Sequence, residues 1–203
     1  MIVIVDYGVG NLGSVQNMLK RIGVPSVISS DVEIISQAEK IVLPGVGAYA
    51  HAMERIHAKG LRQVLDFVAL EKKVPVLGVC LGMQLLLDFS EEGDCPGLGW
   101  ISGRVCRFPR RIDVKVPHMG WNIVTSPSTD PLSSGLERDS RFYFVHSYYA
   151  LVEREEDSVF KCLYGGVEFD AAIHRNNVFG VQFHPEKSHK FGMKLFSNFA
   201  RVQ

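Results

Sequence analysis

Over the first ninety residues, short apolar runs alternate with longer amphipathic stretches. Ile2–Val5, Pro25–Ile28, Lys40–Leu43 and Val74–Val79 predict strands, and the first, third and fourth are apolar enough to need cover on both faces. Between them, Val15, Met18, Leu19 and Ile22 recur at helical spacing, as do Leu61, Val64, Leu65 and Val68, so each set marks one buried helix face. Strands alternating with helices predict parallel pairing with crossover connections. From Gly93 to about Gly135 the chain turns rich in Gly, Pro and Ser and reads as looser and more strand-like. Arg141–Ala150, Phe160–Tyr164, Val167–Ile173 and Val178–Phe183 follow as strands at hairpin-like spacing, and Ser188–Val202 as a closing helix with Phe191, Leu195 and Phe199 in register. The expectation is an α/β fold: a mostly parallel central sheet flanked by helices, an additional antiparallel β region, and one domain over residues 1–203.

Composition narrows the range of partners. Lys plus Arg and Asp plus Glu both number 22, so no net field favours nucleic acid or an anionic membrane. The apolar start, Ile2–Val5, is too short for a signal peptide, and no stretch reaches 18 apolar residues, which predicts a soluble cytoplasmic protein. Cys80, Cys95, Cys106 and Cys162 form no C-x-x-C pair, which argues against a zinc knuckle or a disulfide framework. The basic residues Arg104, Arg107, Arg110, Arg111 and Lys115 read as a solvated edge.

Two glycine-containing turns compete for attention. Gly8-Val9-Gly10-Asn11-Leu12-Gly13 fits G-x-G-x-x-G between a strand and a helix, the place of a dinucleotide loop, with Asp31 at a ribose-binding distance. Ser30 and Glu33 offer Asp31 a local explanation, an S-x-x-E capping box with Asp31 in the first helical turn, so a tight turn without nucleotide is favoured. The second turn carries chemistry. Val74–Val79 runs into Gly78-Val79-Cys80-Leu81-Gly82, the G-x-C-x-G form of a nucleophile elbow, in which the strained nucleophile needs small residues two positions to either side. Cys80 at a helix N-terminus meets the positive end of the dipole, and the Leu81 N–H can serve an oxyanion.

A nucleophilic thiol needs a histidine, and the histidine an acceptor that fixes its tautomer. His184-Pro185-Glu186 ends an apolar strand, and residues two apart in an extended segment point the same way, so Glu186 can hold one ring nitrogen of His184 while the other faces Cys80. His51, His57, His118, His174 and His189 show no such pairing, and His146 is intermediate. His184 and His189 lack the helical H-E-x-x-H spacing, so no metal site is expected.

The segment Gly78–Gln84 together with His184-Pro185-Glu186 resembles the triad-type (class I) glutamine amidotransferases, in the chain order Cys, His, Glu. More narrowly, Pro44–Ala48, Pro117–Asn122, Tyr143–Tyr148 and Phe183–Ser188 resemble the glutaminase subunits of imidazole glycerol phosphate synthases, over nearly the whole chain. The resemblance implies Cys80, His184 and Glu186 as catalytic triad, and Leu81 with the Val46–Gly47 peptide as oxyanion donors, with glycines at 45 and 47 letting that peptide reorient. It also implies Gly47, Gln84, Glu92, Ser147 and Tyr148 around the bound glutamine, and no cofactor. The implied partner is a separate cyclase subunit, a (β/α)8 barrel that receives ammonia, docked on Asn11, Met119, Trp121, Asn122, Tyr143 and Lys187. For Trp121 the alternative is core packing. The remaining alternatives are a glutaminase serving anthranilate, GMP or pyridoxal phosphate synthesis, and a dinucleotide-binding module.

Overall fold

The computed structural model describes residues 1–109, 114–126, 129–137 and 139–203. Its parallel core joins β1 (Ile2–Val5), β2 (Ser26–Ser29), β3 (Lys40–Gly45) and β4 (Val76–Cys80), with helices α1 (Leu12–Arg21), α2 (Val32–Ser36), α3 (Tyr49–Ala58) and α4 (Leu61–Asp66) in the connections. The spatial order is β2-β1-β3-β4, every pair parallel. Alternate residues of these strands enter different cores: Val3, Val5, Ile41 and Leu43 pack with α3 and α4, while Ile2, Ile4 and Val42 pack with α1 and the C-terminal helix. Cover on both faces explains the unbroken apolar runs.

After β4 come α5 (Leu81–Leu85), β5 (Phe89–Ser90), β6 (Cys95–Pro96), β7 (Gly103–Arg107), β8 (His118–Ile123), β9 (Arg141–His146), β10 (Tyr148–Val152), β11 (Ser158–Tyr164), β12 (Val167–Arg175), β13 (Val178–Val181) and α6 (His189–Arg201). β13 returns beside β4 in parallel, and β12, β10 and β7 extend the same sheet in antiparallel fashion, with β11 on β12. β8 and β9 form a separate two-stranded sheet. The expected fold class is what the chain forms.

Three local expectations need correction. Arg141–Ala150 is not one strand: it breaks at Ser147, so that β9 pairs with β8 while β10 joins the large sheet. No capping box joins Ser30 and Glu33, because Asp31 is itself the N-cap of α2, its Oδ1 accepting from Glu33 N at 2.8 Å and Ile34 N at 3.2 Å. Gly45 belongs to β3, and a Cβ there would lie 2.6 Å from the Tyr7 hydroxyl and 2.9 Å from Gly82 N, so close packing demands this glycine. Of the two glycines flanking Val46, it is Gly47 that combines a left-handed φ of +101° with open space. In the N-terminal glycine loop, Gly8 takes a φ of +96°, which gives that glycine a backbone reason. Arg104, Arg107 and Lys115 are exposed, while Arg110 and Arg111 lie outside the described residues.

Candidate active site

Cys80 ends β4 with φ 55° and ψ −110°, a conformation a non-glycine residue keeps only where its surroundings enforce it. The surroundings are glycines. A Cβ on Gly78 would lie 2.6 Å from Gly82 O, and one on Gly82 only 1.7 Å from Leu43 O, so the elbow closes onto β3 without room for a methyl group. The following helix is a short one, Leu81–Leu85. The first-turn amides remain available to an anion, but a long helix dipole is not behind them.

β13 lies beside β4 with Val181 opposite Val79, which brings the continuing segment Gln182–His184 past Cys80. That segment is anchored at several points: His184 N donates to Tyr143 O at 2.9 Å, Ser188 Oγ donates to His184 O at 2.6 Å, and Tyr143 N donates to Ser188 Oγ at 3.0 Å. Behind it, a Cβ on Gly192 would come within 1.8 Å of Pro185 O, so α6 packs directly on the loop.

His184 Nδ1 and Glu186 Oε1 are 2.7 Å apart, both side chains almost wholly buried. Nε2 of His184 has no hydrogen-bond partner among the described residues. Burial by itself would lower the proton affinity of His184, yet Cys80 beside it and the hydrogen bond and charge of Glu186 outweigh it and raise the pKa to about 10. An imidazole facing a thiol is the arrangement of a base and its nucleophile, whose hydrogen bond often tightens only when substrate arrives.

One cleft of about 340 Å³ brings most of the expected site together: Cys80, Leu81 and His184 line it, with Val46 and Gly47 on one side and Gln84, Glu92, Ser147, Tyr148 and Lys187 around the rest. Glu186 reaches it through His184. Glu92 Oε2 accepts from Tyr49 N at 3.2 Å at the start of α3, and burial raises its carboxyl pKa against the effect of that bond. Gln84 Nε2 donates to both Tyr148 O and Gln182 Oε1 at 3.0 Å, so its carbonyl oxygen is the end left for a ligand.

The residues expected to meet a partner divide between two faces. On β8, Met119 and Trp121 point outward, 61% and 45% exposed, so Trp121 is not a core residue. Trp121 stacks on His189 with centroids 5.6 Å apart and meets the edge of Tyr143 at 6.2 Å, while Lys187 Nζ stands 5.8 Å above the Tyr143 ring. Asn11, at the N-terminus of α1, is exposed. Asn122 has its amide turned to the other face of β8, toward His118 Nε2 at 3.3 Å and Leu163 O at 3.2 Å.

Two of the histidines without a neighbouring carboxylate in the sequence find partners from distant parts of the chain. His118 Nδ1 lies 2.9 Å from His146 Nε2, and His174 Nδ1 lies 2.7 Å from Asp130 Oδ2. Sequence reasoning also passed over Gln182, wholly buried with Nε2 3.7 Å from Cys80 Sγ. The available signal was a lone amide in the apolar run Val178–Phe183, two residues before His184 and thus on its side of the strand.

Among the described residues no helix is long and apolar enough to cross a membrane, and no group of His, Cys, Asp and Glu could hold a metal ion. The family model described as glutamine amidotransferase class-I matches residues 3–202. "Imidazole glycerol phosphate synthase subunit HisH 2" of Pseudomonas aeruginosa is 54% identical over 202 residues, covering 100% of both chains. The protein of the same name from Methanococcus maripaludis is 47% identical and covers 99% of each. A crystal structure titled as a glutamine amidotransferase superposes with a TM-score of 0.73 at 19% identity over the full length of both chains, a likeness of fold. With an elbow cysteine, a carboxylate-paired histidine and a family match from end to end, the chain belongs to the class I glutamine amidotransferases.

Proposed function

We propose that this chain is the glutaminase subunit of an imidazole glycerol phosphate synthase, one catalytic domain over residues 1–203. In this reading the Cys80 thiolate attacks the carboxamide carbon of glutamine, and the oxyanion is received by backbone amides at Leu81 and the Val46–Gly47 peptide. The His184 imidazolium, oriented by Glu186, protonates the departing nitrogen, which leaves as ammonia. A glutamyl thioester remains on Cys80. Water then adds as His184 takes its proton, the C–S bond breaks, and glutamate departs with the electron pair returned to sulfur. Gly47, Gln84, Glu92, Ser147 and Tyr148 surround the substrate.

Ammonia released into water at neutral pH becomes ammonium, which is no nucleophile, so it passes instead to a cyclase subunit. That partner is a separate (β/α)8 barrel, seated on the exposed face of Met119 and Trp121 with Tyr143, Lys187 and Asn11, and Asn122 behind them. It uses the ammonia to convert a ribulosyl imidazole carboxamide nucleotide of histidine biosynthesis to imidazole glycerol phosphate and aminoimidazole carboxamide ribotide, in the cytoplasm. The observation that carries this reading is the 54% identity to a HisH protein over the whole chain, with the elbow and the His184–Glu186 pair opening on one cleft. The test is glutamate release by the chain mixed with the cyclase. The nucleotide substrate should accelerate it strongly, and Cys80→Ala should abolish it; activity that survives Cys80→Ala, or that responds to another synthase instead, rejects the reading.

A further inference from the structure

The Cys80 sulfur has a second polar neighbour. An amide shows either its NH2 or its oxygen to a neighbour, and which end Gln182 presents to Cys80 is decided by the groups behind it. The Tyr148 carbonyl can only accept. Gln84 Nε2, 3.0 Å away, must therefore be its donor, and the same nitrogen lies 3.0 Å from Gln182 Oε1. Gln182 is thus held with its oxygen toward Gln84 and its NH2 toward the sulfur, at 3.7 Å.

The other donor at the Tyr148 carbonyl is His146 Nδ1, 2.7 Å away. A neutral His146 then accepts at Nε2 from His118 Nδ1 at 2.9 Å, and His118 accepts at Nε2 from Asn122 Nδ2 at 3.3 Å. Asn122 is oriented independently, donating to Leu163 O at 3.2 Å while its oxygen accepts from Ile123 N at 2.8 Å. Every bond from Asn122 to the Tyr148 carbonyl therefore has one sense, and an added proton on either ring would set N–H against N–H. Burial opposes that proton as well, lowering His118 to about 4 and His146 to about 3.

We propose that Gln182 is a further catalytic residue, whose amide N–H donates to the Cys80 thiolate and to the sulfur as it leaves the glutamyl thioester. The proposal rests on Cys80 being the nucleophile of a glutaminase. A donor that faces sulfur favours its anion over the neutral thiol, which bonds more weakly. When water has added to the thioester and the C–S bond breaks, the electron pair arrives on sulfur where the Gln182 N–H already points. With so short a helix after the elbow, this amide complements the His184 imidazolium as a fixed donor.

The experiment measures iodoacetamide alkylation of Cys80 against pH, with the Cys80 peptide quantified by mass spectrometry in the full chain without glutamine or cyclase. Gln182→Met keeps length without a donor; Gln182→Glu keeps the shape and still accepts from Gln84 but turns an oxygen to the sulfur. The titrating groups around the sulfur are His184, Glu186 and His146 behind it, Tyr7 beneath it, and Glu92 and Lys187 along the cleft. All are common to the three proteins. The thiolate midpoint should rise by about one pH unit in Gln182→Met and further in Gln182→Glu, since each lost or reversed hydrogen bond disfavours the anion. In the complex kcat should fall about tenfold or more in both, with the glutamine KM nearly unchanged. Unmoved midpoints, or equal shifts in the two variants, overturn the proposal while leaving the glutaminase reading intact; that reading fails separately if Cys80→Ala keeps its activity.

Discussion

Two buried pairs built on histidine lie near one another, and one is charged while the other is neutral. His184, 2% exposed, faces the Glu186 carboxylate and the Cys80 thiol and is pushed up to about 10. His146, 6% exposed, and His118, 3% exposed, face each other and are lowered to about 3 and about 4. All three are buried and depressed by it; the partners decide the outcome, because Cys80 and the Glu186 carboxylate favour the imidazolium and another imidazole does not. The pairs also act on one another, since charge at His184 further lowers His146. In the proposed reaction the proton that must move is kept at His184, and a pair held uncharged by its burial lies beside it.

The most severe way to break this contrast is Glu186→Gln. Without the carboxylate, His184 should lose much of its raised affinity, and glutamate release by the complex should fall by about 10²- to 10⁴-fold, the range of a positioned acid-base group. The sign of the linked stability follows from the direction of the shift. A pKa raised on folding stabilises the native state fully below the unfolded value, near 6.5, and that contribution disappears as pH rises through about 10. Urea midpoints of the wild type should therefore decline from neutral pH toward pH 10, and those of Glu186→Gln should decline less. Parallel curves would show that the carboxylate is not what holds the proton.

The charged pair was legible in the sequence and the neutral pair was not, for a physical reason. His184 and Glu186 are two residues apart at the end of an apolar strand, so local geometry alone aims both side chains one way. The elbow was legible for the same reason, its crowding being written in Gly78 and Gly82 a few positions from Cys80. His118 and His146 are 28 residues apart and meet only because β8 pairs with β9 in one register. That pairing was hidden by the run Arg141–Ala150, whose apolar pattern continues through Ser147 although the strand changes sheet there. Gln182 depends on an even longer chain of partners, with Gln84 lying 98 residues away. The parallel core could be read because each of its strands declares its own burial; the polar groups that serve the cysteine depend on which distant strands become neighbours.

A milder perturbation addresses the neutral pair from within. His118→Phe and His146→Phe each keep a flat ring but leave the other histidine with a buried unmatched group, for about 1–3 kcal/mol apiece at neutral pH. The double variant should cost less than the sum, because it leaves no imidazole without its partner, and the difference in urea unfolding free energies measures the coupling. Acid supplies the sign. Lowered pKa values mean that the unfolded chain takes up protons first, so wild-type stability falls as pH drops from about 6.5 toward the folded values of about 4 and about 3. The double variant should lose less over that interval.

The smallest effect is the sharpest test of whether the partner sets the charge. His174 lies away from the cleft, with Nδ1 2.7 Å from Asp130 Oδ2, Nε2 2.6 Å from Asn176 O, and its ring stacked on Phe179 at 3.9 Å. It has a carboxylate, as His184 does, but no thiol. Burial lowers its proton affinity, and the Asp130 and Asn176 bonds overcome that and leave it raised. An NMR titration of its ring proton should therefore find a pKa above the ordinary histidine value and below that of His184, and Asp130→Asn should bring it down. Because Asp130 also caps the turn at Pro131–Ser133, accepting from Leu132 N at 2.8 Å, the substitution that isolates the pair is His174→Gln. It should lower stability by about 1 kcal/mol, the usual size of one such hydrogen bond, and leave glutaminase activity unchanged. A His174 that titrates below the ordinary value while bonded to Asp130 would mean that burial outweighs a carboxylate in this protein, and the proton at His184 would then have to be credited to the Cys80 thiolate.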